Sequence, residues 1–252
     1  MSMGFSSDSQ RRAVFARLNV FSAKPDYSLD TWQKKVAGIP KYKIDEYYRS
    51  IWDKLEPQLE GRNVLVRYKH GDEQVVRRHP PGRTSYTTID SVDDLSEIVR
   101  EHGVELWPET AKKGDLNRAD ILALDIDNMG GASEHQMKTV AKKVYDKMKD
   151  MTGKSPYVVS TEGGYHIVEA LDESIPYKTL RKRVDKEIIV PIEAESDNVS
   201  GSRIDSDIWL DKTPIKSHGS TKAYGSLNLP DLMISEKLSI HDIDEYRRKH
   251  LR

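Results

Sequence analysis

The chain has 252 residues, 37% hydrophobic and 32% charged, with a net charge of −1 and no cysteine. That is enough length for one large domain or two small ones with a sizeable core, and the composition is charged and globular, not disordered. It excludes disulfides, thiolate zinc sites and thiol nucleophiles, and no apolar run is long enough to span a membrane.

The opening, MSMGFSSDSQRRAVF, has no apolar stretch of signal-peptide type, and the absence of cysteine fits the cytoplasmic location that is expected. Residues 1–45 are rich in cations, among them Lys34, Lys35, Lys41 and Lys43. A second basic cluster is YKTLRKRVDK, 177–186. A solvated helix face explains either run as readily as a binding surface does. Residues 1–37 carry no strong pattern and are set apart as an N-terminal extension, leaving 38–252 as the domain. Helical spacing over 44–59 puts Ile44, Tyr47, Ile51 and Leu55 on one face. NVLVRY and EQVVRRH flank KHGD as a hairpin-like pair. SVDDLSEIVREHG reads as a helix opened by a Ser N-cap and closed at Gly103. ADILALDID reads as a buried strand, SEHQMKTVAKKVYDKMKDMTG as a long amphipathic helix ending at Gly153, and SPYVVST and GYHIVEAL as two strands around a Glu-Gly-Gly turn. A further helix over about 176–187, a short strand SDIWLD and a terminal helix IHDIDEYRRKHLR complete the chain. Strands and helices alternate irregularly, which predicts a mixed α/β fold, not a doubly wound sheet.

Three groups of residues carry chemistry. On a strand, Asp125 and Asp127 point to the same face, roughly 7 Å apart at Cα. Two carboxylates so placed repel and raise each other's pKa unless a cation lies between them, and hard divalent ions take such oxygens. A strand end meeting water is the plainer explanation, and D-x-D also occurs in haloacid dehalogenase-type phosphatases and in glycosyltransferases. The second group is STEGGYHIVEA, 160–170, where Ser160 and His166 converge across Gly163-Gly164 and could hold a phosphate; a plain hairpin with a packed histidine is the alternative. The third is 201–228, with Asp205, Asp207 and Asp211 as possible third carboxylates for a two-metal site. Lys216, His218 and Lys222 follow as cations that could neutralise a triphosphate, in what is otherwise a polar loop.

The order of these groups is that of the archaeo-eukaryotic primase superfamily, and within it the chain most resembles the polymerase domain of bacterial ligase D, used in non-homologous end joining. KYKIDEYYRSIWDKLEPQLEGRNVLVRYKHGD resembles that domain's opening. VVRRHPP is similar to its F-x-KHxP, DDLSEIVREHGVELWPE to its DDLxxLxxxGxxELHPW, ADILALDIDN to its ADRLVFDLDP, WLDK to its FLDY, and AYGSLN to its xPYSLR. The resemblance covers about residues 38–230.

It implies a primase-polymerase fold: an RRM-like antiparallel sheet carrying the acids, with a second, N-terminal α/β module (class α/β, α+β). It implies two Mg²⁺ or Mn²⁺ ions held by catalytic Asp125, Asp127 and Asp211. Ser160, Gly164 and His166 match the S-x3-G-x-H motif that contacts the incoming nucleoside triphosphate, with Lys216, His218, Lys222 and Asn228 as further nucleotide-binding candidates. Lys34, Lys35, Lys41 and Lys43 become candidates for a DNA 5′-phosphate. Asn228 stands where the family has a cationic or imidazole ligand, Gly163 where Lys or Arg is usual, and Thr161 where glycine is usual. The implied activity is template-directed nucleotidyl transfer at DNA gaps or breaks, with a DNA ligase and an end-binding protein as expected partners. Two alternatives are a primase that starts chains de novo and a catalytically weak DNA-binding relative with a recruiting role.

Overall fold

The computed structural model describes residues 25–70, 73–80, 82, 84–129, 131–161, 163–194, 203–205, 208–229 and 232–241. In chain order these form α1 (Asp30–Gln33), β1 (Lys35–Val36), β2 (Ile39–Pro40), α2 (Lys41–Ser50), α3 (Trp52–Leu59), β3 (Val64–His70), β4 (Glu73–Arg77), α4 (Val92–Arg100), β5 (Gly103–Pro108), β6 (Arg118–Asn128), α5 (Glu134–Thr152), β7 (Tyr157–Ser160) and β8 (Gly164–Pro176). There follow α6 (Tyr177–Val184), a π-helical segment Asp185–Ile189, α7 (Val190–Ala194), β9 (Arg203–Asp205), β10 (Ile208–Asp211), a 3₁₀ turn Thr213–Ile215, β11 (Leu227–Asn228), β12 (Met233–Ile234) and β13 (Lys237–Leu238).

Six strands make one antiparallel sheet in the order β13-β7-β8-β6-β10-β9. Its two faces differ because every strand alternates. Leu122, Leu124 and Ile126 of β6, Ile167 of β8, Val158 of β7 and Leu210 of β10 share one face. They pack there against Met137, Val140, Ala141, Val144 and Met148 of α5 and Leu180 and Val184 of α6. The amphipathic stripe of α5 therefore finds its partner on this face. Its ends are set locally: Ser133 and Gln136 form a capping box, and Gly153 closes the helix at φ 71°. The opposite face holds Ala123, Val159 and Val168 and, at the strand ends, the acids.

The N-terminal half builds the second module. The three-stranded sheet β4-β3-β5 packs with α2, α3 and α4 around Ile44, Tyr48, Leu55, Val64, Val66, Leu95, Val99, Val104 and Leu106. Trp32 and Val36, only 3% and 2% exposed, join this core, and the Tyr27 hydroxyl donates to Asp45 at 2.5 Å. Residues 25–36 thus pack as part of the module, so the boundary drawn at residue 37 falls inside a packed unit. The segment 220–229 returns from the first module to run along β5. Thr221 N donates to Pro108 O at 3.0 Å, Ala223 N to Leu106 O at 3.0 Å, and Leu106 N to Ser226 Oγ at 2.8 Å.

Two helices differ from expectation. The single helix over 44–59 is split at Ile51, where φ −115° and ψ 12° interrupt the ladder. The helix after Ser91 ends at Arg100, and His102, not Gly103, takes the left-handed position at φ 70°. Gly103 is required for another reason: a Cβ there would meet Ile98 Cγ2 at 2.4 Å. The helix expected over about 176–187 runs on through the π segment to residue 194. The expected terminal helix and Asp207 lie outside the described residues.

Candidate active site

Asp125 and Asp127 sit near the end of β6 on the face away from the helices. Strand register brings in two neighbours: His166 of β8 lies opposite Asp125, and Asp211 of β10 lies opposite Asp125 on its other side. Residues directly opposite in an antiparallel pair share a face. Val159, His166, Asp125 and Asp211 therefore form one row across four strands, with Asp127 one step along. Gly164 makes this possible, since a Cβ there would lie 1.8 Å from the Ile126 carbonyl oxygen. Its neighbour Gly163 is different: a Cβ there would meet nothing nearer than Asp127 Oδ1 at 3.7 Å.

Electrostatics mark the row. Burial pushes the Asp127 carboxyl up to about 6 from 3.8, with Asp125 and Asp211 adding repulsion and His166 opposing it. Asp125 Oδ1 is buried without a hydrogen-bond partner. It lies 3.2 Å from His166 Nε2, but the two atoms are off-line, and Nε2 is also unpartnered. His166 is 1% exposed. Its Nδ1 takes the Lys222 backbone N–H at 3.1 Å and faces Thr221 Oγ1 at 2.8 Å. An acceptor at Nδ1 assigns the proton to Nε2, the atom that faces the acids.

The three-stranded sheet supplies the opposite wall. Arg67 of β3 pairs in register with Glu105 of β5, and Leu65 with Trp107. Trp107 meets the His166 ring edge-on at 5.3 Å between centroids. Lys222 Nζ lies 4.7 Å over the Trp107 ring and Arg67 5.2 Å from it. Glu105, 1% exposed, is the counter-ion: Lys222 and Arg67 each approach it at 3.3 Å, Trp107 Nε1 donates to it at 3.0 Å, and Leu229 N donates at 2.5 Å. Lys222 Nζ also donates to Asn228 Oδ1, whose amide donates to Met233 O at 3.0 Å.

The sequence candidates separate on this frame. Asp125, Asp127, Asp211, His166, Lys222 and Asn228 come together. Ser160 closes β7 out of phase with Val159, and its hydroxyl accepts the Glu236 N–H at 2.9 Å. Lys216 lies in a separate depression beside α6. His218, at φ 60°, stacks on Tyr86 and lies 3.6 Å from Glu109. Lys34, Lys35 and Lys43 are exposed, but Lys41 must be corrected. It is 1% exposed and donates to the Arg100 carbonyl, and burial pushes its ammonium down to about 8. A buried ammonium committed to a carbonyl does not meet a DNA phosphate. Arg67, Glu105 and Trp107 were missed. Their signal was a charged residue inside an apolar strand, V-E-L, the same signature that singled out the aspartates.

Among the described residues, no three Asp, Glu or His side chains stand close enough, as placed, to hold one ion. The donor set nonetheless fits a divalent cation: three carboxylates on one face, one with an orphaned buried oxygen and one pushed toward the neutral form by its neighbours.

An antiparallel sheet presenting aspartates on its open face, walled by a second α/β module, defines a primase-polymerase fold. The structure of the polymerase domain of Mycobacterium tuberculosis ligase D in complex with DNA matches with a TM-score of 0.69, at 19% identity over 88% of this chain and 94% of that one. Residues 40–203 match the family model of the ligase D primase-polymerase domain. The chain belongs to that family. Comparison with curated protein sequences finds no match. Asp211, Lys222 and Asn228 lie beyond the residues that the family model matches, and strand register and contacts place them beside Asp125 and His166. No helix among the described residues is long and apolar enough to cross a membrane.

Proposed function

We propose that the protein is a template-directed nucleotidyltransferase acting at DNA gaps or broken ends. The observation that carries this reading is the row Asp211–Asp125–His166 with Asp127 beside it, on the open face of an antiparallel sheet. Asp125, Asp127 and Asp211 would hold two Mg²⁺ or Mn²⁺ ions, which when bound supply charge neutralisation for the attacking and leaving oxygens. The protein's own residues position the substrate. His166 donates from Nε2 to a phosphate oxygen of the nucleoside triphosphate, held in line by the Lys222 N–H and Thr221 at its other nitrogen. Lys222, fixed between Glu105, Asn228 and Trp107, places a positive charge beside that imidazole. The primer 3′-hydroxyl attacks the α-phosphorus, a phosphodiester forms, and pyrophosphate leaves. Catalysis is then alignment plus electrostatics. Exposed Lys34, Lys35 and Lys43 suit a DNA 5′-phosphate. Family membership and the DNA-bound neighbour support this reading.

The test offers gapped duplex with a 5′-phosphate, or bare single-stranded template, with Mn²⁺ and either ribo- or deoxynucleotides. Extension on the gapped substrate, abolished in Asp125→Ala plus Asp127→Ala, is expected. Synthesis on the bare strand alone would replace this reading with de novo priming. DNA binding without incorporation, unchanged in the double variant, would replace it with a recruiting role.

A further inference from the structure

Glu109, just past β5, takes no part in the site above, yet it is 0% exposed. The family's ELHPW ends in tryptophan where this chain has Glu109, so the carboxylate is a feature of this chain. Burying a carboxylate is costly unless donors and opposite charges meet it. One oxygen, Oε2, accepts from Asn63 Nδ2 at 3.0 Å. The other, Oε1, is buried without a hydrogen bond, with His218 Nδ1 at 3.6 Å and Arg78 Nε at 3.9 Å. Both of those nitrogens are orphaned as well. Arg78 also donates from Nη2 to the His218 carbonyl at 2.6 Å. Three side chains from three segments therefore converge at His218. The segment 218–222 is the one that orients His166. Ser220 bridges to Glu109 in antiparallel register, Thr110 N donates to Gly219 O at 2.9 Å, and Thr221 N donates to Pro108 O at 3.0 Å. One residue past that bridge, Thr221 Oγ1 and the Lys222 N–H meet His166 Nδ1.

We propose that Glu109 is a positioning residue: through Arg78 and His218 it fixes the segment 218–222, and so keeps His166 Nδ1 an acceptor and Nε2 the donor aimed at the triphosphate. It touches no substrate itself. The physical reason lies in His218, which sits at φ 60°. A non-glycine residue in that region persists only when its surroundings over-determine it. Here the Arg78 bond to its carbonyl and the Glu109 carboxylate beside its ring hold it there. Without the carboxylate, Arg78 is released and His218 relaxes toward the common backbone region. Thr221 and Lys222, three and four residues on, move with it, and the His166 ring loses the partners that fix its tautomer.

The proposal rests on the triphosphate-binding reading of His166, and its test separates the two. The ring nitrogens of His166 are followed by nitrogen-15 NMR in the free protein, and binding of dATP with Mg²⁺ is measured by thermal-shift titration. The proteins compared are the wild type, Glu109→Gln, Arg78→Met and a control for general loosening, Arg62→Met. The control breaks the pair with Asp120 and the bond to the Glu109 carbonyl but leaves the Glu109 side chain its partners. In the wild type the Nδ1 signal is expected at the acceptor position. Glu109→Gln should move it toward the donor position, as the tautomers mix, and weaken dATP about tenfold, the loss of one aligned hydrogen bond to a charged group. Arg78→Met, at a partly exposed side chain, should move it the same way, and it decides the matter if Glu109→Gln does not fold. Arg62→Met should lower the melting temperature and leave the His166 signals in place. Wild-type His166 signals in folded Glu109→Gln or in Arg78→Met would overturn the positioning role. An equal shift in Arg62→Met would also overturn it, in favour of general loosening. A wild type that binds no dATP would overturn the triphosphate reading of His166, while the nitrogen-15 shifts would still decide the role of Glu109.

Discussion

Replacing Asp127 by asparagine should make the metal-free protein more stable at neutral pH. The Asp127 carboxyl is pushed up to about 6 from 3.8, chiefly by burial and then by Asp125. At about 1.4 kcal/mol per pH unit, that difference corresponds to about 3 kcal/mol of cost to the ionised form in the fold. The side chain is only half-buried, and solvent screening reduces the figure to about 1 kcal/mol. The sign follows from linkage. A carboxyl whose folded pKa is raised is favourable while protonated, so the wild type is relatively most stable below about pH 4. It loses that advantage as pH rises through about 6. Asp127→Asn keeps the shape and removes the charge. With chelator present, it should match the wild type near pH 4 and exceed it by about 1 kcal/mol at pH 7.5, about 2–4 °C in melting temperature for a chain of this size. Manganese should reverse the order, since a ligand at a hundredfold its dissociation constant adds about 2.7 kcal/mol and the variant has lost one of its three carboxylates. Melting curves across pH 4–8, with and without Mn²⁺, make the measurement. A variant that is less stable than the wild type by the same margin at every pH would refute the reasoning.

Three other outcomes are expected. Gly164→Ala, with a Cβ 1.8 Å from the Ile126 carbonyl oxygen, should disrupt the β6–β8 pairing and lower stability by about 3 kcal/mol; Gly163→Ala should change it by less than about 1 kcal/mol, both read by urea unfolding. Lys222→Met leaves buried Glu105 with Arg67, Trp107 and the Leu229 N–H but without its buried cation. It should cost about 3 kcal/mol, and a double-mutant cycle with Glu105→Gln should recover more than half. Lys41, pushed down to about 8 by burial, binds fewer protons folded than unfolded between pH 8 and 10.5. Wild-type stability should therefore rise with pH in that window, Lys41→Met should flatten the rise, and DNA affinity should not change.

Much of this molecule was legible from local rules. Alternation along ADILALDID placed Asp125 and Asp127 on one face, and Ser133 and Gly153 bounded α5 through capping chemistry that depends on neighbouring residues alone. The helical stripe of α5 and the short strand ending at Asp211 were equally local. Local rules did not reach what depends on which segments pair, and only the resemblance to the ligase D polymerase domain put Asp211 with Asp125 and Asp127. That Asp211 faces Asp125 follows from the β6–β10 register, set by hydrophobic partners far apart in the chain. That Lys41 is buried while Lys34 and Lys35 are exposed depends on α4 delivering the Arg100 carbonyl. The union of Lys222 with Glu105, 117 residues earlier, requires segment 220–229 to lie along β5. Burial and charge pairing are properties of the assembled layers, so tertiary packing alone decided that Lys222 lies near the acids and that Lys41 is buried in the fold.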